Sequence, residues 1–318
     1  MVRTLLLCLM WVTAVAGALA QGYPVKPVRY IVPFSPGGGT DLLARTLAAK
    51  MSESLGQQVV VENRPGAQGN IGTSLAAKSP PDGYTIVLTY VGTFAINPSL
   101  YKDVGYDPLK DFSHITLATV QPYVVVVNPG VPAKNLKELA ALARSQPDRL
   151  TFGSSAAAGQ LAGELFKILA KTKMVHVAYK GAGPAAIDLM GGHIDLMYST
   201  PTGAVPYVKA GRIRGLAVTA PTRLSALPDV PTSKESGFPE FEISGWYGVA
   251  SPPNTPREIV LRLNSEITRA LNLNDVRERL SAEGLEPKTN SPEEMAAFAR
   301  SEFDRWGKVV KASGSKAE

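Results

Sequence analysis

The sequence predicts an α/β protein of two domains, with mostly parallel sheets and a ligand cleft between the domains. Three observations carry that prediction. Short β-branched runs alternate with helical stretches along the chain, and strands separated by helices pair in parallel through crossovers. The loops that begin at Phe34, Tyr90, Ser154 and Ser199 all follow predicted strands, and ligands of such sheets bind at the carboxyl ends of strands. These loops fall in both halves of a chain of 318 residues, which is long enough for two cores.

The first stretch stands apart from the fold. Met1 to Ala20 has one charge, Arg3, then an apolar centre from Leu5 to Val15 and the small-residue ending Ala18-Leu19-Ala20. This is the pattern of a cleaved export signal, with the mature chain starting at Gln21 in an exported compartment. The one cysteine, Cys8, lies within it. The mature chain therefore has no disulfide and no thiol nucleophile. Loss of Arg3 lowers the formal charge by one from +6, and the remaining lysines and arginines are scattered. That distribution argues against nucleic acid.

Val28-Arg29-Tyr30-Ile31-Val32 reads as a buried strand and Leu42 to Leu55 as a helix. Between them, Pro33-Phe34-Ser35-Pro36-Gly37-Gly38-Gly39-Thr40-Asp41 forms a strand-to-helix turn. Glycines without a Cβ let backbone N–H groups approach a small anion, and Asp41 suits the first helical turn. A tight turn with a capped helix explains the glycines equally well.

Strands are next expected over Gln58 to Val61 and Tyr84 to Leu88, with a helix over Thr73 to Lys78 between them. A loop follows at Tyr90 to Thr93, and Asn97 to Tyr101 begins a polar connection. Tyr123 to Val127, Thr151 to Ser155, Val175 to Val177, Ile194 to Tyr198 and Leu216 to Val218 are the next strands. Helices are expected over Leu136 to Ser145 and Gln160 to Ala170. Trp246 to Ala250 precedes a helical tail over Arg257 to Leu271, Asn274 to Ala282 and Pro292 to Val310. The expected division is 21–120 with 221–318 as one discontinuous domain and 121–220 as the other.

Several chemistries are missing. The triple glycine is followed by Thr40-Asp41 rather than Lys and a hydroxyl, and Gly66, Gly69 and Gly72 lack dinucleotide spacing, so no nucleotide cofactor is expected. His114, His176 and His193 lack the spacing of a metal pair. Ser154-Ser155 has no evident base near it in sequence and no nucleophile-elbow motif surrounds it. No catalytic residue, metal or cofactor is therefore expected.

The loop from Pro33 to Asp41 and the run Leu55-Gly56-Gln57-Gln58-Val59-Val60-Val61-Glu62-Asn63-Arg64-Pro65-Gly66 resemble the periplasmic receptors of tripartite tricarboxylate transporters, the Bug family. Pro81-Asp82-Gly83-Tyr84, Asn97 to Tyr101, Gly163 to Phe166, Tyr179-Lys180-Gly181, Asp188 to Gly192 and Leu227 to Thr232 extend the resemblance, in order, over the mature chain. It implies a type II-like periplasmic binding-protein fold that captures a small organic carboxylate and presents it to the permease subunits of a tripartite transporter. A monomer is the expected state. The resemblance assigns ligand contacts to Phe34, Ser35, Gly37, Gly38, Gly39, Thr40 and Asp41, to Tyr90 and Thr93, and to Ser154, Ser155, Ser199 and Thr200.

The chain departs from the family at Ala156-Ala157-Ala158-Gly159-Gln160, where relatives carry glycines and a histidine, and at Ser199-Thr200, where an Asp-Asn pair is common. A hydroxyl pair cannot neutralise an ammonium group. The expected ligand is thus a carboxylate without an amine, either a dicarboxylate or an aromatic or hydroxylated monocarboxylate, with the alanines leaving room for a ring. Trp246 and Tyr247 suit either ligand stacking or core packing, and Lys180 either a ligand charge or a solvated surface. An exported hydrolase or isomerase of small acids, or a sensor that reports to a signalling partner, are the alternative functions.

Overall fold

The computed structural model describes residues 22–154, 156–179 and 181–314. The expected export segment, Ser155 and Lys180 lie outside them. The chain first builds β1 (Val28–Val32), α1 (Gly39–Leu55), β2 (Val59–Asn63), α2 (Asn70–Ala77) and β3 (Thr85–Tyr90). A π-helical turn at Gly92–Ile96 then leads into the short α3 (Asn97–Leu100) and the long β4 (Ser113–Pro122). Next come β5 (Val124–Val127), α4 (Leu136–Ser145), β6 (Thr151–Ser154), α5 (Ala157–Ala170) and β7 (Val175–Ala178). These are followed by α6 (Ala182–Gly191), β8 (Leu196–Ser199), α7 (Pro201–Lys209) and β9 (Arg214–Val218). The chain ends through β10 (Ser244–Ser251), α8 (Arg257–Leu271), α9 (Asn274–Ala282), β11 (Glu286–Pro287) and α10 (Pro292–Ser313).

The strands form two sheets. The larger has six strands in the order β11-β4-β10-β3-β1-β2, and the smaller has five in the order β7-β6-β8-β5-β9. The chain passes from one to the other at Tyr123 and returns through 219–243. Backbone bonds clamp this crossing: Thr219 N donates to Tyr123 O at 2.9 Å and Ile243 N donates to Thr219 O at 3.1 Å.

Both sheets are mixed, which corrects the expectation of mostly parallel pairing. β1 pairs in parallel with β2 and β3, but β10 runs antiparallel to β3 and β4. In the smaller sheet β6 is parallel to β7 and β8, whereas β5 is antiparallel to β8 and β9. The crossover argument holds for strands joined by a helix on one sheet. It fails between β4 and β5 and between β9 and β10, where the chain changes sheets instead.

The sequence reading did not place β4, whose Ser-His-Ile-Thr-Leu-Ala-Thr-Val run mixes polar with apolar residues. Here His114, Thr116, Thr119 and Gln121 are buried. Thr116 Oγ1 donates to Asn290 O at 3.0 Å, and Leu117 N donates to Asn290 Oδ1 at 2.7 Å. Pairing with Asn290 lets the Thr116 hydroxyl be buried at little net cost. By contrast, the four valines of β5 are all fully buried, as expected for a strand covered on both faces.

Candidate ligand-binding site

A cavity of about 480 Å³ lies between the two sheets, walled by loops at the carboxyl ends of β1, β3, β6 and β8. From the larger sheet it is lined by Phe34 to Thr40, Tyr90 and Tyr247. From the smaller sheet come Ala156, the stretch from Gly181 to Pro184, Ala186, Thr200, Thr202, Gly203 and Tyr207. Among the described residues no lining side chain is a carboxylate, ammonium, guanidinium or imidazole.

The loop after β1 is held from behind. Gly37 N donates to Asp41 Oδ2 at 3.1 Å, Arg45 Nε donates to the same oxygen at 2.9 Å, and Asn63 Nδ2 donates to Asp41 Oδ1 at 3.0 Å. Asn63 also donates to Phe34 O at 3.0 Å. Burial pushes the Asp41 carboxyl up, but the bonds from Arg45, Asn63 and the Gly37 N–H outweigh it and hold the group below the usual carboxylate range. Gly37 has φ +89°, a conformation that favours glycine. Gly38 is extended at φ −95° and a Cβ there would meet open space. Gly39 is the crowded one: a Cβ would lie 3.0 Å from Thr202 Oγ1 and 3.1 Å from Tyr247 Oη.

Four helices begin at the cavity. Their N-caps are Gly38 for α1, Ala156 for α5, Gly181 for α6 and Thr200 for α7, and none makes a side-chain capping bond. Away from the cavity, Asn135 caps α4 and Ser291 forms a capping box on α10, while α2, α8 and α9 likewise lack a side-chain cap. A helix start carries partial positive charge and N–H groups that suit an anion. Three aromatic rings close the larger-sheet side: Phe34 meets Tyr90 edge-on at 5.4 Å, and Tyr90 lies 5.8 Å from Tyr247. Burial pushes the Tyr90 phenol up to about 12, so it remains a neutral hydroxyl.

The structure brings Phe34, Ser35, Gly37, Gly38, Gly39, Thr40, Tyr90 and Thr200 together on the cavity wall. It places Asp41, Thr93, Ser154 and Ser199 behind that wall. Asp41 is occupied as above, and Thr93 belongs to the π-helical turn that stands where a loop was expected; its hydroxyl donates to Tyr90 O at 3.2 Å. Ser199 Oγ donates to Thr200 O at 3.1 Å. Ser154 is 4 % exposed and its Oγ lies 2.8 Å from His176 Nε2. A base therefore does sit beside Ser154, contrary to the sequence reading, because parallel pairing of β6 with β7 sets residues 22 apart side by side.

Of the alanines expected to leave room for a ring, only Ala156 reaches the cavity. Ala157 and Ala158 are buried in α5. Trp246 is core, with Nε1 donating to Glu302 Oε2 at 3.1 Å, whereas Tyr247 faces the cavity. Thr202, Gly203, Tyr207 and Gly181 to Pro184 went unnoticed in the sequence as site residues. The Tyr179-Lys180-Gly181 run was the one signal pointing to them, since it precedes a helix start. Among the described residues no group of acids, histidines or cysteines could hold a metal, and no helix is long and apolar enough to cross a membrane.

Residues 43–315 match the model of the tripartite tricarboxylate transporter family receptor. Protein BugT of Bordetella pertussis is 37 % identical, over 93 % of this chain and 92 % of its own. A solved periplasmic transporter is 42 % identical with a TM-score of 0.89, over 93 % of this chain and 99 % of its own. An R. palustris protein solved with adipate is 38 % identical with a TM-score of 0.88, over 92 % and 98 % of the two chains.

Proposed function

The chain belongs to the tripartite tricarboxylate transporter receptor family, the Bug receptors among them, and on that premise we propose that its cavity takes a small organic carboxylate without an amine, a dicarboxylate fitting best. The observation that carries this reading is the set of helix starts. Four of them, from both sheets, meet a cavity with no acidic side chain among its described lining residues. Each contributes roughly half a positive charge, which suits an anion with a charged group at either end. An ammonium group would lose its water and find no carboxylate. The adipate in the R. palustris relative is of the favoured class.

In this proposal each sheet with its helices is one domain, divided near 120 and 220, and the ligand contacts are the lining residues named above. The chain acts as a periplasmic monomer, exported by its first 20 residues, and hands its ligand to membrane permease subunits. The Ser154–His176 pair favours a hydrolase as the second reading, but Ser154 is buried off the cavity wall.

A thermal-shift screen over mono-, di- and tricarboxylates tests the assignment, because a ligand at about 100 times its dissociation constant adds roughly 2.7 kcal/mol to stability. Recovery of the best ligand unchanged is expected, and a product in its place would favour the hydrolase. Calorimetry on an amino acid and its deaminated analogue tests the amine. Tighter binding of the amino acid would overturn that part.

A further inference from the structure

Two tyrosines join the cavity wall to the place where the chain changes sheets. Tyr90 closes β3 and lines the cavity, and its hydroxyl oxygen lies 3.1 Å from that of Tyr123. Both residues are buried. Tyr123 is the single residue between β4 and β5. Its backbone N–H donates to Thr219 Oγ1 at 2.8 Å, and Thr219 is the first residue of the returning segment. Gly245, at the start of β10, packs on the same spot: a Cβ there would lie 3.4 Å from Tyr123 Oη. The side chain of Tyr123 thus reaches the ligand wall while its backbone forms part of the crossing.

The two sheets touch across the cavity in this arrangement. Thr202 of α7 packs on Gly39 of α1, and Pro201 packs on Gly284, beyond α9, with no room between them for a Cβ. Separating them requires rotation at residues 122–124 and 219–243, the places where backbone joins the sheets. Tyr123 sits at that pivot with its hydroxyl against Tyr90 and Gly245 of the larger sheet.

We propose that Tyr123 is a positioning residue that couples the cavity wall to hinge closure, its hydroxyl meeting that of Tyr90 only when the smaller sheet is seated as it is here. A ligand shifts a two-state equilibrium only by what it gains differently in the two states. A ligand packed on Tyr90 holds that ring in the position where Tyr123 finds its partner, and so favours the seated hinge. The inference rests on the cavity being the ligand site but not on the ligand being a carboxylate.

Pulsed dipolar spectroscopy tests it, with spin labels at Lys209→Cys on α7 and Arg277→Cys on α9. Both positions are exposed, they flank the Pro201–Gly284 contact, and the chain from Gln21 has no other thiol. Distances are recorded without ligand and with adipate. A short-distance population is expected in the labelled parent, and Tyr123→Phe lowers its ratio to the long-distance population about fivefold, the worth of one hydrogen bond. Tyr90→Phe gives the same loss, and the double variant loses no more than either one, while unfolding temperatures stay close to the parent's. Unchanged ratios in both single variants, additive losses in the double variant, or a parent with no short-distance population in either condition would each overturn the proposal. If Tyr123→Phe does not fold, Tyr90→Phe carries the test, since it removes the same bond from the other side. Failure of the carboxylate reading shows elsewhere, as a thermal screen without a responding acid.

Discussion

The two walls of the cavity are built by opposite means. On the larger sheet, a glycine loop that runs from exposed Gly37 to buried Gly39 is pinned by side chains behind it, with Asp41 holding Gly37 N and being held by Arg45 and Asn63. On the smaller sheet, the wall is made of small residues and three helix starts without side-chain caps. The side-chain bonds on its α7 segment are local: Ser199 to the carbonyl of Thr200, and Thr200 to Thr202 at 3.1 Å. One wall is fixed before a ligand arrives. The other offers space and N–H groups, and there a single side chain can change which acids fit without disturbing the fold.

The sharpest way to break this contrast is to bring the walls into conflict. Gly39→Val places a branched side chain where a Cβ is already 3.0 Å from Thr202 Oγ1. Overpacking of this kind costs enough to lower affinity roughly 100-fold. The variant should keep its far-UV spectrum, since the substituted atom faces the cavity and the opposite wall rather than the core. Gly38→Val, in an extended conformation with open space around it, should do far less. The sequence leaves the three glycines alike, and the structure makes Gly39 the crowded one. Calorimetry on both variants decides between the two positions.

Removing the pin is the next largest effect. Asp41→Ala leaves Gly37 N without its acceptor and Asn63 Nδ2 with Phe34 O alone, and should lower stability by about 2 kcal/mol and affinity by roughly tenfold as the loop loses its fixed shape. The pH dependence follows from the sign of the shift. The Asp41 pKa is depressed in the fold below 3.8, so its contribution is complete above that value and disappears as pH falls through the lower folded value. The difference in unfolding temperature between parent and variant should therefore be flat from neutral pH to near 4 and shrink below it. A difference that fades well above pH 4 would show that the carboxylate is not the pin.

The same contrast explains what could be read from the sequence. The first wall was legible because its parts are contiguous: strand, triple glycine, Asp41 and helix follow one another, and local rules of turns and helix starts apply to them directly. The second wall was half legible. Ser199 and Thr200 stand at a strand end, but whether each faces the cavity depends on packing against α7, and Ser199 turned to the backbone. Thr202, Tyr207 and Gly183 carry no local signature, since a small residue near a helix start is unremarkable until another sheet lies opposite. The Ser154–His176 pair and the polar strand β4 were hidden for a related reason. Strand register and a distant Asn290 decide them, and neither leaves a mark in nearby sequence.

The smallest expected effect separates the two hydroxyls of the second wall. Ser199 is 4 % exposed, is absent from the cavity lining and donates to its neighbour's carbonyl. Ser199→Ala should therefore cost about 1 kcal/mol of stability and leave ligand affinity where it was. Thr200 lines the cavity, and its Oγ1 lies 3.1 Å from Thr202 Oγ1, so its hydroxyl is placed to reach a ligand oxygen. Thr200→Val keeps the shape and the β-branched backbone preference while removing that hydroxyl. It should weaken binding about fivefold, the worth of one hydrogen bond, with little change in unfolding temperature. Calorimetry and thermal unfolding on the two variants give four values, and the pairing expected is stability lost at Ser199 and affinity lost at Thr200. The opposite pairing would mean that Ser199 turns into the cavity when ligand binds, and that the second wall reorganises where the first does not.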